Sequence, residues 1–205
     1  MIFKYLLFIV LGYMSGSILF GYLIPKILFK VDTIKNSADS NPGTANSFKL
    51  GGVACGIMVL ILDIVKGFVP VFIANNVVEE NHFLFSLVML APVVGHAFPL
   101  FTGFKKGGKC IAVTFGVLLG LFPHLTLALS LAFWYVFFSI IVIINPHCLR
   151  SVVTFVCWLV SAIFFAKMLS LFIGCASICA IVILKHLKSL KETEERKVRL
   201  AFQKI

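Results

Sequence analysis

Long apolar stretches alternate with short polar breaks along almost the whole chain. The apolar stretches cover about residues 3–25, 53–74, 82–103, 111–123, 125–145, 151–166 and 168–186. A stretch of about 20 apolar residues is the length that an α-helix needs to cross a bilayer. Breaks at Pro123 and Lys167 separate two pairs of short stretches, and each pair could instead form one kinked helix. The pattern predicts an all-α, polytopic membrane protein with about seven transmembrane helices.

The composition supports this fold class. The chain is 60% hydrophobic and 13% charged, whereas soluble domains are about half apolar and about a quarter charged. This excludes a water-soluble domain. We expect one membrane-embedded domain over residues 1–190 and a charged cytoplasmic tail over 191–205. The final segment, 187–205, is expected to be helix-like, with Glu192 and Arg196 four positions apart. The six cysteines form no C-x-x-C pair, so we interpret them as small buried residues and expect no metal site.

The positive charge indicates how the chain is oriented in the membrane. Its formal net charge is +10, with 18 Lys and Arg. Fifteen of these lie in alternate breaks, at 26–52, 104–110 and 145–150, or in the segment after residue 184. Because cytoplasmic loops of membrane proteins are rich in Lys and Arg, we expect a cytoplasmic C-terminus and, with seven spans, an external N-terminus. The charge therefore needs no nucleic-acid partner to explain it.

Two of the predicted cytoplasmic loops carry small polar residues and glycines. Residues 37–47 read Ser-Ala-Asp-Ser-Asn-Pro-Gly-Thr-Ala-Asn-Ser, and residues 103–109 read Gly-Phe-Lys-Lys-Gly-Gly-Lys. Backbone amides in such loops can bind an oxyanion, and the lysines can neutralise it. Each loop alone could be an ordinary turn or basic connection, but together on one face they predict a site for two phosphates. The second loop lacks the spacing of a Walker A motif, so nucleotide hydrolysis is not indicated.

A few ionisable residues lie within or beside the apolar stretches. Asp63 and Lys66 stand three positions apart, on one face of a helix, and can neutralise each other there. Such a pair fits a functional site, the packing of two helices, or a carrier for a small phosphorylated solute. His96 and His186 each stand near the cytoplasmic end of a predicted span.

Several motifs together resemble one known family. They are Asn41-Pro42-Gly43 with Asn46, Asp63-x-x-Lys66-Gly67-x-x-Pro70, Gly95-His96-x-Phe98-Pro99, and Lys106-Gly107-Gly108-Lys109. Over about residues 5–190 their order and spacing are similar to those of the bacterial acyl-phosphate:glycerol-3-phosphate acyltransferases. The resemblance implies a seven-span inner-membrane enzyme with a cytoplasmic active site. It implies transfer of a fatty acyl group from acyl phosphate to the 1-hydroxyl of glycerol 3-phosphate, giving lysophosphatidic acid without a cofactor.

The resemblance also implies site residues and partners. Its catalytic positions fall on Lys35, Asp39, His186 and Ser189. Its substrate-binding positions fall on Ser40, Asn41, Gly43, Asn46, Lys66, His96, Lys106, Gly107, Gly108 and Lys109. The expected partners are acyl phosphate, glycerol 3-phosphate, membrane lipids and an enzyme that produces acyl phosphate at the cytoplasmic face.

The chain departs from the family pattern at several of these positions. Where the family has R-x-x-G-S-G-N, Lys35 replaces the arginine and Asp39 replaces the serine. Where it has His-x-x-Asn, Ser189 replaces the asparagine, the arginine that follows becomes Glu192, and the family's Lys-Gly-Gly-Lys-Gly ends here in Cys110. Asp39 puts a negative charge where two anions should gather. Three hypotheses follow: a divergent acyltransferase, a noncatalytic lipid-phosphate or partner-binding relative, and a transporter.

Overall fold

The computed structural model describes residues 1–190 and 196–201. Over these residues the chain forms helices α1 (Ile2–Ser17), α2 (Phe20–Leu28), α3 (Thr33–Asn36), α4 (Thr44–Asn75), α5 (Leu84–Ala97), α6 (Ile111–Leu119), α7 (Thr126–Val136), α8 (His147–Phe165) and α9 (Leu169–Leu187). Two strands, β1 (Val142–Asn145) and β2 (Lys197–Leu200), complete the regular structure, with a 3₁₀ turn at Leu100–Thr102 and a π-helical turn at Phe137–Ile141.

The helices confirm a polytopic, mainly α-helical membrane fold. Five segments of the described chain are long and apolar enough to cross a bilayer: Ile2–Leu28, Thr44–Asn75, Leu84–Thr102, His147–Phe165 and Leu169–Leu187. A shorter apolar helix covers Thr126–Ile141. Helix α6 has nine residues, which is about 14 Å of helix against a hydrocarbon core of about 30 Å. The count of seven spans stays a prediction.

Close helix packing at glycines builds the bundle. Helix α5 packs against α1 and α9, and α6 packs against α4. A Cβ on Gly16 of α1 would lie 2.1 Å from the Pro92 carbonyl oxygen, and one on Gly116 would lie 2.0 Å from the Ile64 carbonyl oxygen. Small residues let helix backbones approach in lipid, where van der Waals packing holds helices together. These contacts set the position of α5, whose C-terminal end leads into the second glycine-bearing loop.

The strands differ from the sequence expectation. The fifth predicted span ends at Ile141 rather than at residue 145, and β1 pairs antiparallel with β2, with Val142 opposite Leu200. The prediction of a helix-like tail is therefore wrong for Lys197–Leu200. The β-branched Val-Ile-Ile run of β1 favours an extended backbone, and the ladder satisfies its polar groups. Residues 191–195, including Glu192, and 202–205 lie outside the described residues, so the rest of the tail stays a prediction.

Helix α4 starts earlier than predicted and is kinked. The helical conformation is interrupted at Gly52, which has φ 82° and ψ −179°. Glycine adopts these angles without the steric penalty of a Cβ. The part before the kink, from Thr44, was expected to be loop. This first part of α4 carries Asn46 beside the polar segment that precedes the helix.

Candidate active site

Three separate parts of the chain meet in a polar cavity of about 300 Å³. They are the segment before α4, the loop between α5 and α6, and the C-terminal end of α9. The cavity is lined by Asp39, Ser40, Asn41, Lys106, Gly107, Lys109, Lys185, Lys188 and Ser189. The structure thus joins the two loops that the sequence indicated, and adds the end of α9 to them.

The first loop is held in place by the amide of Asn46. Its Nδ2 donates to Asp39 Oδ1 and to the Asn41 carbonyl oxygen, both at 2.8 Å. Gly43 is the N-cap residue of α4, and a Cβ there would lie 2.9 Å from Asn41 Nδ2. Asn46 and Gly43 therefore stabilise the loop on the side away from the cavity, and residues 39–41 line the cavity.

The second loop packs tightly on the end of α5. The Gly108 amide donates to the His96 carbonyl oxygen at 3.0 Å. A Cβ on Gly107 would lie 2.0 Å from the Ala97 carbonyl oxygen, and one on Gly108 would lie 2.1 Å from His96 Nε2. A larger residue at Gly107 would push against the backbone of α5, and one at Gly108 would displace the His96 ring. The close approach brings the flanking lysines, 106 and 109, to the cavity.

Asp39 and Lys109 form an ion pair inside the cavity. Lys109 Nζ lies 2.8 Å from Asp39 Oδ2 and 3.4 Å from Cys148 Sγ, to which it donates. Burial by itself would raise the pKa of Asp39, but the hydrogen bonds from Lys109 and Asn46 and the charge of Lys109 outweigh it and lower that pKa. Asp39 is therefore a carboxylate, and its charge is balanced by a lysine.

The end of α9 brings two further lysines to the cavity. Lys185 Nζ donates to the Ala97 carbonyl oxygen at 2.7 Å and lies 4.9 Å from the centre of the Phe98 ring. Ser189 Oγ donates to the Lys185 carbonyl oxygen at 3.2 Å. Sequence reasoning missed Lys185 and Lys188 as site residues, because it counted them only as basic residues of the tail. The sequence signal that could have identified them is their spacing of three positions, which places both lysines on one helical face beside Ser189.

His186 lies in the body of α9 rather than on the cavity surface. It is 1% exposed, and its Nδ1 lies 2.9 Å from the Val182 carbonyl oxygen. Since a carbonyl only accepts, Nδ1 carries the hydrogen, and in the neutral ring Nε2 is the basic nitrogen. That Nε2 is buried without a hydrogen-bond partner among the described residues. The acceptor nitrogen of the neutral ring therefore lies behind the cavity lining rather than at the cavity surface.

Lys66 and His96 form a buried cluster beneath the second loop. Lys66 Nζ lies 2.7 Å from Asp63 Oδ1, 2.7 Å from the Ile18 carbonyl oxygen and 2.8 Å from His96 Nδ1. These three contacts use the three hydrogens of the ammonium group. Neither residue belongs to the cavity lining. The cluster ties α4 to α5 and to the turn before α2, and it supports the loop that carries Gly108.

Lys35 is a predicted site residue that the structure places away from the cavity. Its side chain is exposed on α3 and is not among the residues that line the cavity. Its backbone amide donates to Asp32 Oδ1 at 3.1 Å, as part of the N-cap of α3. Of the expected catalytic positions, Asp39 and Ser189 line the cavity, His186 lies behind it, and Lys35 lies outside it.

Two departures from the family pattern fall at unusual backbone conformations. Ser40 has φ 49° and Cys110 has φ 69°, and the family pattern has glycine at both positions. Residues with a Cβ are strained in this left-handed region. The backbone thus keeps a conformation suited to glycine, although the glycines themselves are absent.

The chain is similar to known proteins over most of its length. The family model described as glycerol-3-phosphate acyltransferase matches residues 6–195. The glycerol-3-phosphate acyltransferase of Staphylococcus saprophyticus is 32% identical over 185 residues, covering 87% of this chain and 88% of that protein. The one from Thermotoga petrophila is 45% identical over 112 residues, 55% of this chain and 56% of that protein.

A solved structure shares the fold. The crystal structure of PlsY (YgiH), an integral membrane glycerol 3-phosphate acyltransferase, in its glycerol 3-phosphate form has a TM-score of 0.78 and 29% identity, covering 90% of this chain and 88% of that one. Its lysophosphatidic acid form has a TM-score of 0.76 and 28% identity. With a family match across nearly the whole chain and a shared fold, this multi-pass membrane protein belongs to the glycerol-3-phosphate acyltransferase family.

Proposed function

We propose that the chain transfers a fatty acyl group from acyl phosphate to the 1-hydroxyl of glycerol 3-phosphate and releases lysophosphatidic acid and inorganic phosphate. The observation that carries the proposal is the lysine-lined cavity, which is built from the two loops that hold the family's motifs. We place the enzyme in a bacterial inner membrane with this cavity on the cytoplasmic side. The N-terminus is then external and the C-terminus cytoplasmic, in agreement with the basic loops.

The reaction needs positioning more than activation. The hydroxyl oxygen attacks the acyl carbon, a new C–O bond forms, and the bond from that carbon to the phosphate oxygen breaks. Phosphate is a good leaving group, so holding the two anions side by side supplies much of the rate. The hydroxyl proton passes to His186 Nε2 or to the departing phosphate. Nε2 is the basic nitrogen of the neutral ring because Nδ1 is hydrogen-bonded to Val182.

We assign the phosphate contacts first to the two loops. Lys106 and Lys109 provide positive charge, and Ser40 and Asn41 provide a hydroxyl and a side-chain amide at the cavity lining. Ser189 provides a hydroxyl at the position of the family's asparagine. Lys66 and His96 act by supporting the second loop, and Lys35 attracts anions from outside the cavity. The acyl chain lies among the apolar helices, and an enzyme that forms acyl phosphate supplies the donor from the cytoplasm.

One observation favours a second candidate function. Asp39 already forms an ion pair with Lys109 at 2.8 Å. A carboxylate of the protein therefore lies where the proposed function places a phosphate. A noncatalytic relative that binds a lipid phosphate or a protein partner would be expected to retain the fold and to lose such contacts. This candidate predicts no turnover by the protein as it stands.

Turnover by the purified protein tests both candidates. The protein in lipid nanodiscs is mixed with acyl phosphate and glycerol 3-phosphate, and inorganic phosphate and lysophosphatidic acid are measured. We expect both products at equal rates, and we expect Lys109→Ala and His186→Ala to abolish them. Lys105→Ala is the matched control, because Lys105 is exposed in the same loop and is not part of the cavity lining. Product formed only after Asp39→Ser would refute catalysis by this chain and support the noncatalytic candidate.

A further inference from the structure

The positive charge of the cavity comes from two sources. The loop between α5 and α6 gives Lys106 and Lys109, and the end of α9 gives Lys185 and Lys188. Asp39, in its ion pair with Lys109, cancels one of these charges. The loop alone therefore leaves a single net positive charge, whereas the proposed reaction gathers two phosphates that each carry more than one negative charge at neutral pH. Charge balance requires the lysines of α9.

The two α9 lysines differ in what their ammonium groups contact. The ammonium group of Lys185 binds the end of α5: it donates to the Ala97 carbonyl oxygen at 2.7 Å and lies over the ring of Phe98. This contact fixes the last turn of α9 against the loop that carries Lys106. Lys188 lies one turn further along the same face, is exposed, and lines the cavity. Among the described residues, no hydrogen bond or ion pair holds its side chain.

We propose that Lys188 is an anion-binding residue that receives a phosphate monoester entering the cavity from the cytoplasm. The proposal rests on the proposed function, and it adds a phosphate contact at one of the two positions that the family's His-x-x-Asn pattern leaves open, between His186 and Ser189. Four lysines around one small cavity repel each other when it is empty, and a phosphate relieves that repulsion. Because Lys188 is exposed at the edge of the site, it acts on the binding of the phosphate more than on the chemical step.

Steady-state kinetics of the full chain in nanodiscs tests this role. We expect Lys188→Ala to raise KM about tenfold, as for the loss of one hydrogen bond to a charged group, with kcat within about twofold. We expect Lys188→Arg to restore most of the affinity. Lys105→Ala, with the same loss of charge outside the cavity, should leave KM unchanged. A rise in KM for glycerol 3-phosphate alone, for acyl phosphate alone, or for both identifies which phosphate Lys188 meets.

Equilibrium binding separates this proposal from the proposed function. Binding of glycerol 3-phosphate and of inorganic phosphate is measured by titration calorimetry with the same three variants. A wild-type protein that binds phosphate without turnover, and binds it about tenfold more weakly after Lys188→Ala, would support the assignment and refute the acyl transfer. Equal binding by wild type, Lys188→Ala and Lys105→Ala, or no binding by wild type, would overturn the assignment. An equal fall in affinity for Lys105→Ala would also overturn it, since general surface charge would then explain the effect.

Discussion

Replacing Asp39 by asparagine keeps the size of the side chain and removes its negative charge from the cavity. The asparagine oxygen can still accept the hydrogen bond that Asn46 Nδ2 gives at 2.8 Å. Lys109, which lies 2.8 Å from the other carboxylate oxygen, loses its counter-ion and is released to bind phosphate. The substitution therefore changes the electrostatics of the cavity more than its shape.

The expected gain in affinity follows from the size of the cavity. A space of about 300 Å³ is about 8 Å across, so a phosphate inside it lies about 6 Å from the Asp39 carboxylate. At about 6 Å, two unit charges interact with about 0.7 kcal/mol in bulk water and about 3 kcal/mol at an effective dielectric constant of about 20. For a phosphate dianion at a half-exposed site, we expect Asp39→Asn to tighten binding at least about tenfold.

The assay is the KM for glycerol 3-phosphate, or its dissociation constant, at several salt concentrations. The difference between wild type and Asp39→Asn should be largest at low ionic strength, because salt screens the repulsion. Asp39→Ser should change the affinity in the same direction. The thermal stability of each variant in detergent is measured in parallel, since both also lose the ion pair with Lys109.

Unchanged or weaker binding by a stably folded Asp39→Asn protein would refute the reasoning. It would mean that the carboxylate helps the substrate to bind, either by orienting Lys109 or by accepting a hydrogen bond from the glycerol hydroxyls. Asp39 would then be a substrate-binding residue in its own right.

Three further predictions concern stability and shape. Ser40→Gly should raise stability by about 1 kcal/mol, because it relieves strain at positive φ, whereas Cys110→Gly should gain less, because it also removes a side chain that is only 1% exposed; the apparent melting temperature checks both. Gly107→Ala should strongly reduce activity, because its Cβ would lie 2.0 Å from the Ala97 carbonyl oxygen; activity close to wild type would show that the loop can move away. The Asp39 ion pair stabilises the protein above the ordinary pKa of aspartate, and this effect is lost as the pH falls through the lowered pKa of Asp39. Acid below about pH 4 should therefore destabilise wild type more than Asp39→Asn.

Much of the fold could be predicted because lipid imposes a simple rule on the sequence. Apolar stretches of sufficient length become helices, and five of the predicted spans match helical segments long enough to cross a bilayer. The strand pair could not be predicted in the same way. Residues 142–145 are as apolar as the end of a span, and β2 lies in a charged segment that has a helical spacing of charges. Their pairing joins residues far apart in the sequence, and only the folded chain brings them together.

The site was predicted in part for a similar reason. Glycine and lysine at loop positions are visible in the sequence, so the loops of Asn41 and Lys109 were correctly expected to meet. The sequence does not show which charges will pair, and the partner of Asp39 lies 70 positions away. It also does not distinguish a lysine that faces solvent from one that lines a cavity, as Lys188 does.

The distribution of the cavity lining along the chain has a consequence for how the protein is made. Three segments, within residues 39–41, 106–109 and 185–189, each supply one part of the lining, and the third lies at the end of α9, the last helix in the described part of the chain. During synthesis the helices enter the membrane in order, so a chain that stops before α9 inserts most of its apolar segments and has only part of an anion site. Binding of phosphate would therefore distinguish completely assembled molecules from partly synthesised ones that are equally well embedded in the membrane.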